Sequence, residues 1–238
     1  MKKMLLSLIT FLSVTVFAQE SKLIADPNAT VRTLNSSFTG ISVTSGIELY
    51  ITQGNEESIA VSASDEKYMG RFKTEVENGV LKIWYDNKGV TWKNENKKLK
   101  AYVSFKTLNK LYGSAGSEVM LKGGMNAENL DVKFTSGAEF EGQINAKQLT
   151  VNQNSGSVMN ISGKADKIAI DVSSGAEFKG NELAVDFCDA EASSGGTVKI
   201  SISKELNAKA SSGGSIRYNG TAMIRDISIS SGGIVKKA

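Results

Sequence analysis

The sequence predicts an all-β protein: a parallel β-helix, or solenoid, with coils about 19 residues long. Three observations carry that expectation. A small residue, nearly always serine, precedes a recurring glycine at Gly116, Gly137, Gly156, Gly175, Gly195, Gly213 and Gly232, in steps of 21, 19, 19, 20, 18 and 19 residues. Two columns flanking that glycine are apolar throughout. Five residues before it stand Leu111, Val132, Val151, Ile170, Ala190, Ala208 and Ile227; three after it stand Val119, Phe140, Met159, Phe178, Val198, Ile216 and Val235. The positions seven, five and three before the glycine share a parity, which is the period of a strand with one buried face. A helix would need spacings of three and four, and β-branched residues and glycines are too frequent for it.

One such repeat cannot enclose a core, so each must stack on its neighbours. Coils stack at roughly 4.8 Å, so seven would rise on the order of 30 Å. The Ser-Gly pair marks a bend, where glycine takes positive φ cheaply. The serine column (Ser136, Ser155, Ser174, Ser194, Ser212, Ser231) has the parity of the buried face, so stacked hydroxyls satisfying one another are expected inside. Phe178 should lie in the core between Met159 and Val198, with Glu177 and Lys179 facing water. Cys188, the only cysteine, falls in the column seven before the glycine and reads as a small buried hydrophobe. Asn109 and Arg225 interrupt that column at its two ends.

Residues 1–18 read as a signal peptide. Lys2 and Lys3 precede the apolar run Met4–Phe17, and Val16-Phe17-Ala18 fits a cleavage site, leaving Gln19 first. Cleavage would take the formal charge from +3 to +1 by removing two lysines, so the pI of 8.8 is no nucleic-acid signature. No transmembrane span is expected in the mature chain. Residues 19–37 lack periodicity and read as a leader. The rest, 38–238, is expected to be one β-helix domain: irregular N-terminal coils over 38–110, capping the first open edge, and Ser-Gly coils over 111–238. A separate β-sandwich over 38–110 is the alternative. In that region the patterning predicts strands at Ile41–Val43, Ile47–Thr52, Ser58–Ala63, Phe72–Val76, Val80–Tyr85 and Leu99–Phe105. Asp65–Arg71 reads as a helical turn and Asn78-Gly79 as a hairpin turn. At the other end Lys236 and Lys237 suit the polar face that a terminal coil needs.

The chain has no histidine, which removes Ser-His-Asp and Cys-His nucleophilic arrangements and any imidazole metal site. Carboxylates remain. Asp171 and Glu191 stand four before their glycines on adjacent coils, with Asp189 two residues before Glu191, so stacking puts them on one outward face. Such a cluster suits a glycosidase acid pair or calcium; a solvated face is the plainer reading. Glu139, Glu141, Glu177, Lys179, Lys199 and Arg217 follow the glycine on the outer face, and alternating signs along the stack are expected there. Trp92 with Lys93, Lys97, Lys98 and Lys100 forms a loop suited to a glycan or an anionic surface, or simply to water. No catalytic, cofactor-binding or metal residue is assigned.

The stretches Gly113-Ser114-Ala115-Gly116-Ser117-Glu118-Val119, Ser136-Gly137-Ala138-Glu139-Phe140 and Ser174-Gly175-Ala176-Glu177-Phe178 resemble the putative auto-transporter adhesin head GIN domain family. Phe38-Thr39-Gly40-Ile41-Ser42-Val43, Gly46-Ile47-Glu48-Leu49-Tyr50-Ile51 and Gly79-Val80-Leu81-Lys82-Ile83 are also similar to it. The resemblance spans roughly 35–235 and implies a right-handed parallel β-helix, related in shape to pectin-lyase folds and exported by bacteria. It implies adhesion and no established catalytic residues. The expected function is therefore a non-catalytic adhesion, binding or structural module at the bacterial envelope, in the periplasm, on the surface or outside the cell. Its partner would be a glycan or another envelope component rather than nucleic acid. The alternative is a polysaccharide lyase or hydrolase using Asp171, Asp189 and Glu191, which rests on fold analogy.

Overall fold

The computed structural model describes residues 26–89 and 97–238. The expected signal peptide and Trp92-Lys93 lie outside them. The strands are β1 (Thr30–Arg32), β2 (Gly40–Val43), β3 (Glu48–Gln53), β4 (Ser58–Ser62), β5 (Phe72–Glu77), β6 (Val80–Tyr85), β7 (Lys100–Phe105), β8 (Lys110–Gly113) and β9 (Glu118–Lys122). They continue as β10 (Met125–Phe134), β11 (Glu139–Gln153), β12 (Val158–Val172), β13 (Glu177–Ala192), β14 (Thr197–Ala210), β15 (Ser215–Gly220), β16 (Met223–Ile229) and β17 (Ile234–Lys237). One 3-10 turn, Glu66–Tyr68, is N-capped by Asp65, whose side chain accepts from the Lys67 N–H. The expected strands are all present within a residue, and the helical turn is shorter than the expected Asp65–Arg71.

The coils stack in parallel as a β-solenoid of about seven turns. Register is carried by the columns read from sequence: Phe140 pairs with Met159, Met159 with Phe178, Phe178 with Val198, and Val198 with Ile216. All five side chains are buried. In β13 the buried parity flips twice, after Gly180 and after Val185. Each flip turns the chain at a corner, so this coil wraps the core as three short segments.

Sheet order departs from chain order at the N-terminal end. Strand β2 lies between β6 and β8, and β3 lies between β7 and β9, all in parallel. The first coil in sequence is thus the second in space, and β6 and β7 cover it. Beyond them the sheet turns antiparallel: β5 pairs with β6 through a turn at Asn78-Gly79, where both φ angles are positive, and β4 pairs with β7. This end is sealed with large side chains, Phe38, Phe72, Tyr68 and Tyr85 among them. Part of the segment read as a leader is structured: β1 pairs with β4. Asp26 accepts hydrogen bonds from Ser62 Oγ (2.6 Å) and Tyr102 Oη (3.2 Å), tying that segment down. Those bonds, Ser62's foremost, hold its carboxyl below the usual range.

The serines are not inside. Ser136, Ser155, Ser174, Ser194, Ser212 and Ser231 have φ between 47° and 55°, and all are exposed. The following glycines also have positive φ, and the residue after them donates back across the turn, as Ala176 N does to Ser173 O (3.1 Å). This is the type I′ pattern, whose two left-handed residues break the alternation that put the serines inward. The turns also stack on one another. Gly137 N donates to Ser155 O (3.0 Å), Gly156 N to Ser174 O (3.1 Å) and Gly175 N to Ser194 O (3.1 Å). The inward place belongs instead to the next residue, which is small in every coil: Ser117, Ala138, Ser157, Ala176, Gly196, Gly214 and Gly233. At Gly214 a Cβ would meet the Ala192 carbonyl oxygen at 2.2 Å.

The interruption at Arg225 has a local cause. A bulge between the pairs Leu206–Ile224 and Asn207–Asp226 leaves Arg225 without a ladder partner. Ile224 takes the place next to Leu206, and Arg225 turns out to bond Glu205 (3.2 Å). The expected polar last coil is also not what forms: Ile224, Ile227, Ile229 and Ile234 are all exposed there beside Lys236 and Lys237.

Candidate functional site

Two outward faces of the solenoid carry the polar chemistry. The first lies just before the turns, on the outer side of the inward column Leu130, Leu149, Ile168, Cys188 and Leu206. Its strand register places Asp171 beside Glu191 on adjacent coils, as expected, and Asp189 beside Asn207. Glu191 is held by Lys209 (2.8 Å), and Asp189 accepts from Asn207 Nδ2 (2.6 Å) and faces Lys167 (3.8 Å). The Lys209 ammonium is held above its usual range, first by its hydrogen bond to Glu191. The three carboxylates line a shallow depression of about 350 Å³ that runs across the sheet.

Towards the early coils the same face deepens into a groove of about 610 Å³, lined by Tyr112, Asp131, Lys133, Asn152 and Asp171. Tyr112 Oη donates to Asp131 (2.7 Å). Burial and that bond push the phenol up to about 12. The ridge of turns forms the rim, where Thr135 Oγ1 bonds the Asn154 side chain in the next coil. Among the described residues no group of carboxylate or thiol side chains is placed to hold a metal ion. Cys188 is buried, and burial raises its thiol far above the ordinary range. It serves packing rather than reactivity.

The second face follows the turns, and here the expected alternation of charge fails. Residues two after the glycine and four after it form separate columns, so reading their charges in sequence order merged two rows. In the first row Glu48, Glu118 and Glu139 occupy consecutive coils. In the second, Glu141 and Asn160 are followed by Lys179, Lys199, Arg217 and Lys236, one per coil. Apart from Glu177, the acids of these two rows stand in the early coils and the cations in the late ones. Glu177 links to Lys199 (2.7 Å) and Lys179 (3.3 Å), and the Lys199 bond foremost holds its carboxyl below the usual range. At the early end Tyr50 and Tyr102 stack with centroids 5.3 Å apart, with the Lys100 and Lys122 ammonium groups over the Tyr50 ring at 5.9 and 5.6 Å. Each cation stands four residues after its glycine, the same alignment that defines the apolar columns.

Open, repetitive faces of this kind define a class: solenoids whose stacked coils offer one side chain many times over. The chain belongs to the family described as putative auto-transporter adhesin, head GIN domain, which matches residues 37–222. Solved structures share its fold. A putative adhesin from Bacteroides fragilis NCTC 9343 superposes with a TM-score of 0.78 at 18% identity, over 90% of this chain and 98% of that one. A putative adhesin from Parabacteroides distasonis ATCC 8503 gives 0.67 at 18% identity, over 88% and 97%. A protein of the same strain described as a putative lipid binding protein gives 0.63 at 18% identity, over 90% and 98%. No curated protein matches the chain. The family description supports a binding or adhesion module, and the solved structures support the fold.

Proposed function

We propose that the protein is an exported, non-catalytic binding module of the bacterial envelope, holding a glycan or another repetitive envelope component on its sheet faces. The observation that carries this reading is the repetition itself. Outward side chains recur coil after coil in register, so a ligand with its own repeat meets the same contact several times. Multiple weak contacts of this kind sum to useful affinity without a deep pocket. Export is supported by Lys2, Lys3, the apolar run Met4–Phe17 and the Val16-Phe17-Ala18 site. Among the described residues no helix is long and apolar enough to cross a membrane.

Glycoside hydrolysis would need two carboxyl groups pushed into different protonation states across a bound sugar. Instead, Asp189 and Glu191 are each engaged by a lysine, on an open sheet. The test is a glycan array on the purified protein, with parallel assays for hydrolysis and elimination products. Binding without turnover is expected, unchanged in Asp189→Asn and Glu191→Gln. Polysaccharide cleavage that either substitution removes, with folding intact, would overturn the non-catalytic reading.

A further inference from the structure

We propose that the late coils carry a binding site for an acidic polysaccharide, one with an anionic group on each sugar, lying along the solenoid axis. The inference rests on the binding-module reading above and names its ligand. Lys179, Lys199, Arg217 and Lys236 sit in register on four successive coils, about 4.8 Å apart. Like charges directly opposite one another on a sheet are destabilising, so the row opposes folding until an anion lies over it. Glu177 is the only carboxylate bonded to the row among the described residues, and it serves the two earliest cations. Protection of an open edge would explain Lys236 on the last strand. It does not explain Lys179 and Lys199, whose strands are paired on both sides.

Beyond Glu177, the rows on either side of Lys199 and Arg217 are uncharged and can hydrogen-bond. Thr197 and Ser215 are neighbours on one side, and Ser201 and Asn219 on the other. A cation row between hydroxyl and amide rows suits a chain whose anionic groups alternate with hydroxyls. Glu139 and Glu141, on the coil two before that of Lys179, limit the site to the late end. Duplex nucleic acid fits less well, because its phosphates rise about 3.4 Å per strand step and its charge calls for a broad basic surface. A pyranose ring with its linking oxygen is about one coil long.

The test is titration of the full chain with size-defined oligogalacturonates, their methyl esters and a thymidine oligonucleotide, across a salt series. The acidic sugar should bind, weaken as salt rises, and lose about tenfold or more in affinity in the Lys199→Gln/Arg217→Gln double variant. Lys73→Gln, exposed on β5 at the opposite end, should leave it unchanged. Equal binding of the esters, or an unaffected double variant, would overturn the site. So would tighter binding of the oligonucleotide, or a salt-sensitive dimer in sedimentation that the double variant abolishes. Neutral glycans bound on the array with no acidic sugar bound would remove this site and leave the general binding reading. No glycan bound at all would remove both.

Discussion

The two ends of the solenoid solve the same problem in different ways. At the N-terminal end, strands that follow no repeat fold back over the first coil. They bury Phe38 and Phe72 to 1% and 2% exposure and finish in antiparallel strands. At the other end, β16 is exposed along its whole length, and Ile227 and Ile229 remain 37% and 51% exposed. Yet Ile227 occupies the column that Ile170 and Val151 fill in the core. An inward position is therefore worth only what the next coil adds on top of it. The repeat supplies register, and an irregular cap supplies closure.

That contrast can be broken first at its core. Phe178 is fully buried between Met159 and Val198, so Phe178→Ala should cost roughly 3–5 kcal/mol. Ile227→Ala, at the open end, should cost about 1 kcal/mol or less. Chemical denaturation of both variants checks the pair, and equal losses would mean that the last coil is covered.

Adjacent glycines sharpen the account of the turn. Gly214 has no room for a Cβ, which would strike backbone at 2.2 Å, so Gly214→Ala should cost about 3 kcal/mol. Gly213 has open space but a φ of 76°, so Gly213→Ala should cost only about 1–2 kcal/mol, the strain of a left-handed alanine. Melting curves that reverse this order would show the turn to be misplaced by a residue.

The smallest effect belongs to the surface. Glu177 has a folded pKa below its unfolded value, so its contribution is present above about pH 4.3 and is lost as pH falls through the folded value. Glu177→Gln should cost no more than about 0.5–1 kcal/mol at neutral pH, and less in high salt. Variant and wild type should converge in acid; a gap that persists there would point to packing instead of charge.

Much of this was legible in the sequence because inward side chains repeat at one spacing. Leu111 to Ile227 and Val119 to Val235 needed no structure to be placed. What stayed hidden depends on departures from that spacing. Two left-handed residues at each turn reverse the parity of Ser174 and its column, and spacing cannot register a change of backbone basin. The bulge at Arg225 leaves the Gly-to-Gly step unchanged, so the column showed only an interruption at Arg225 and not that Ile224 fills the place. The passage of β2 and β3 between later strands is a matter of long-range order, which no local pattern encodes. The cation row from Lys179 to Lys236 keeps a constant offset from the glycine and was legible, but reading the charges in chain order merged it with the row two residues earlier. For the candidate carboxylates, position could be read but partners could not: Lys209 reaches Glu191 only because one coil separates them.

Native-state hydrogen exchange tests the graded closure of the solenoid most directly. Amides of β12 to β14 are paired on both sides and should exchange only through global unfolding. Those of β16 and β17 should exchange through local opening, at rates insensitive to Phe178→Ala. Uniform protection out to β17, falling everywhere together in that variant, would contradict an open last coil.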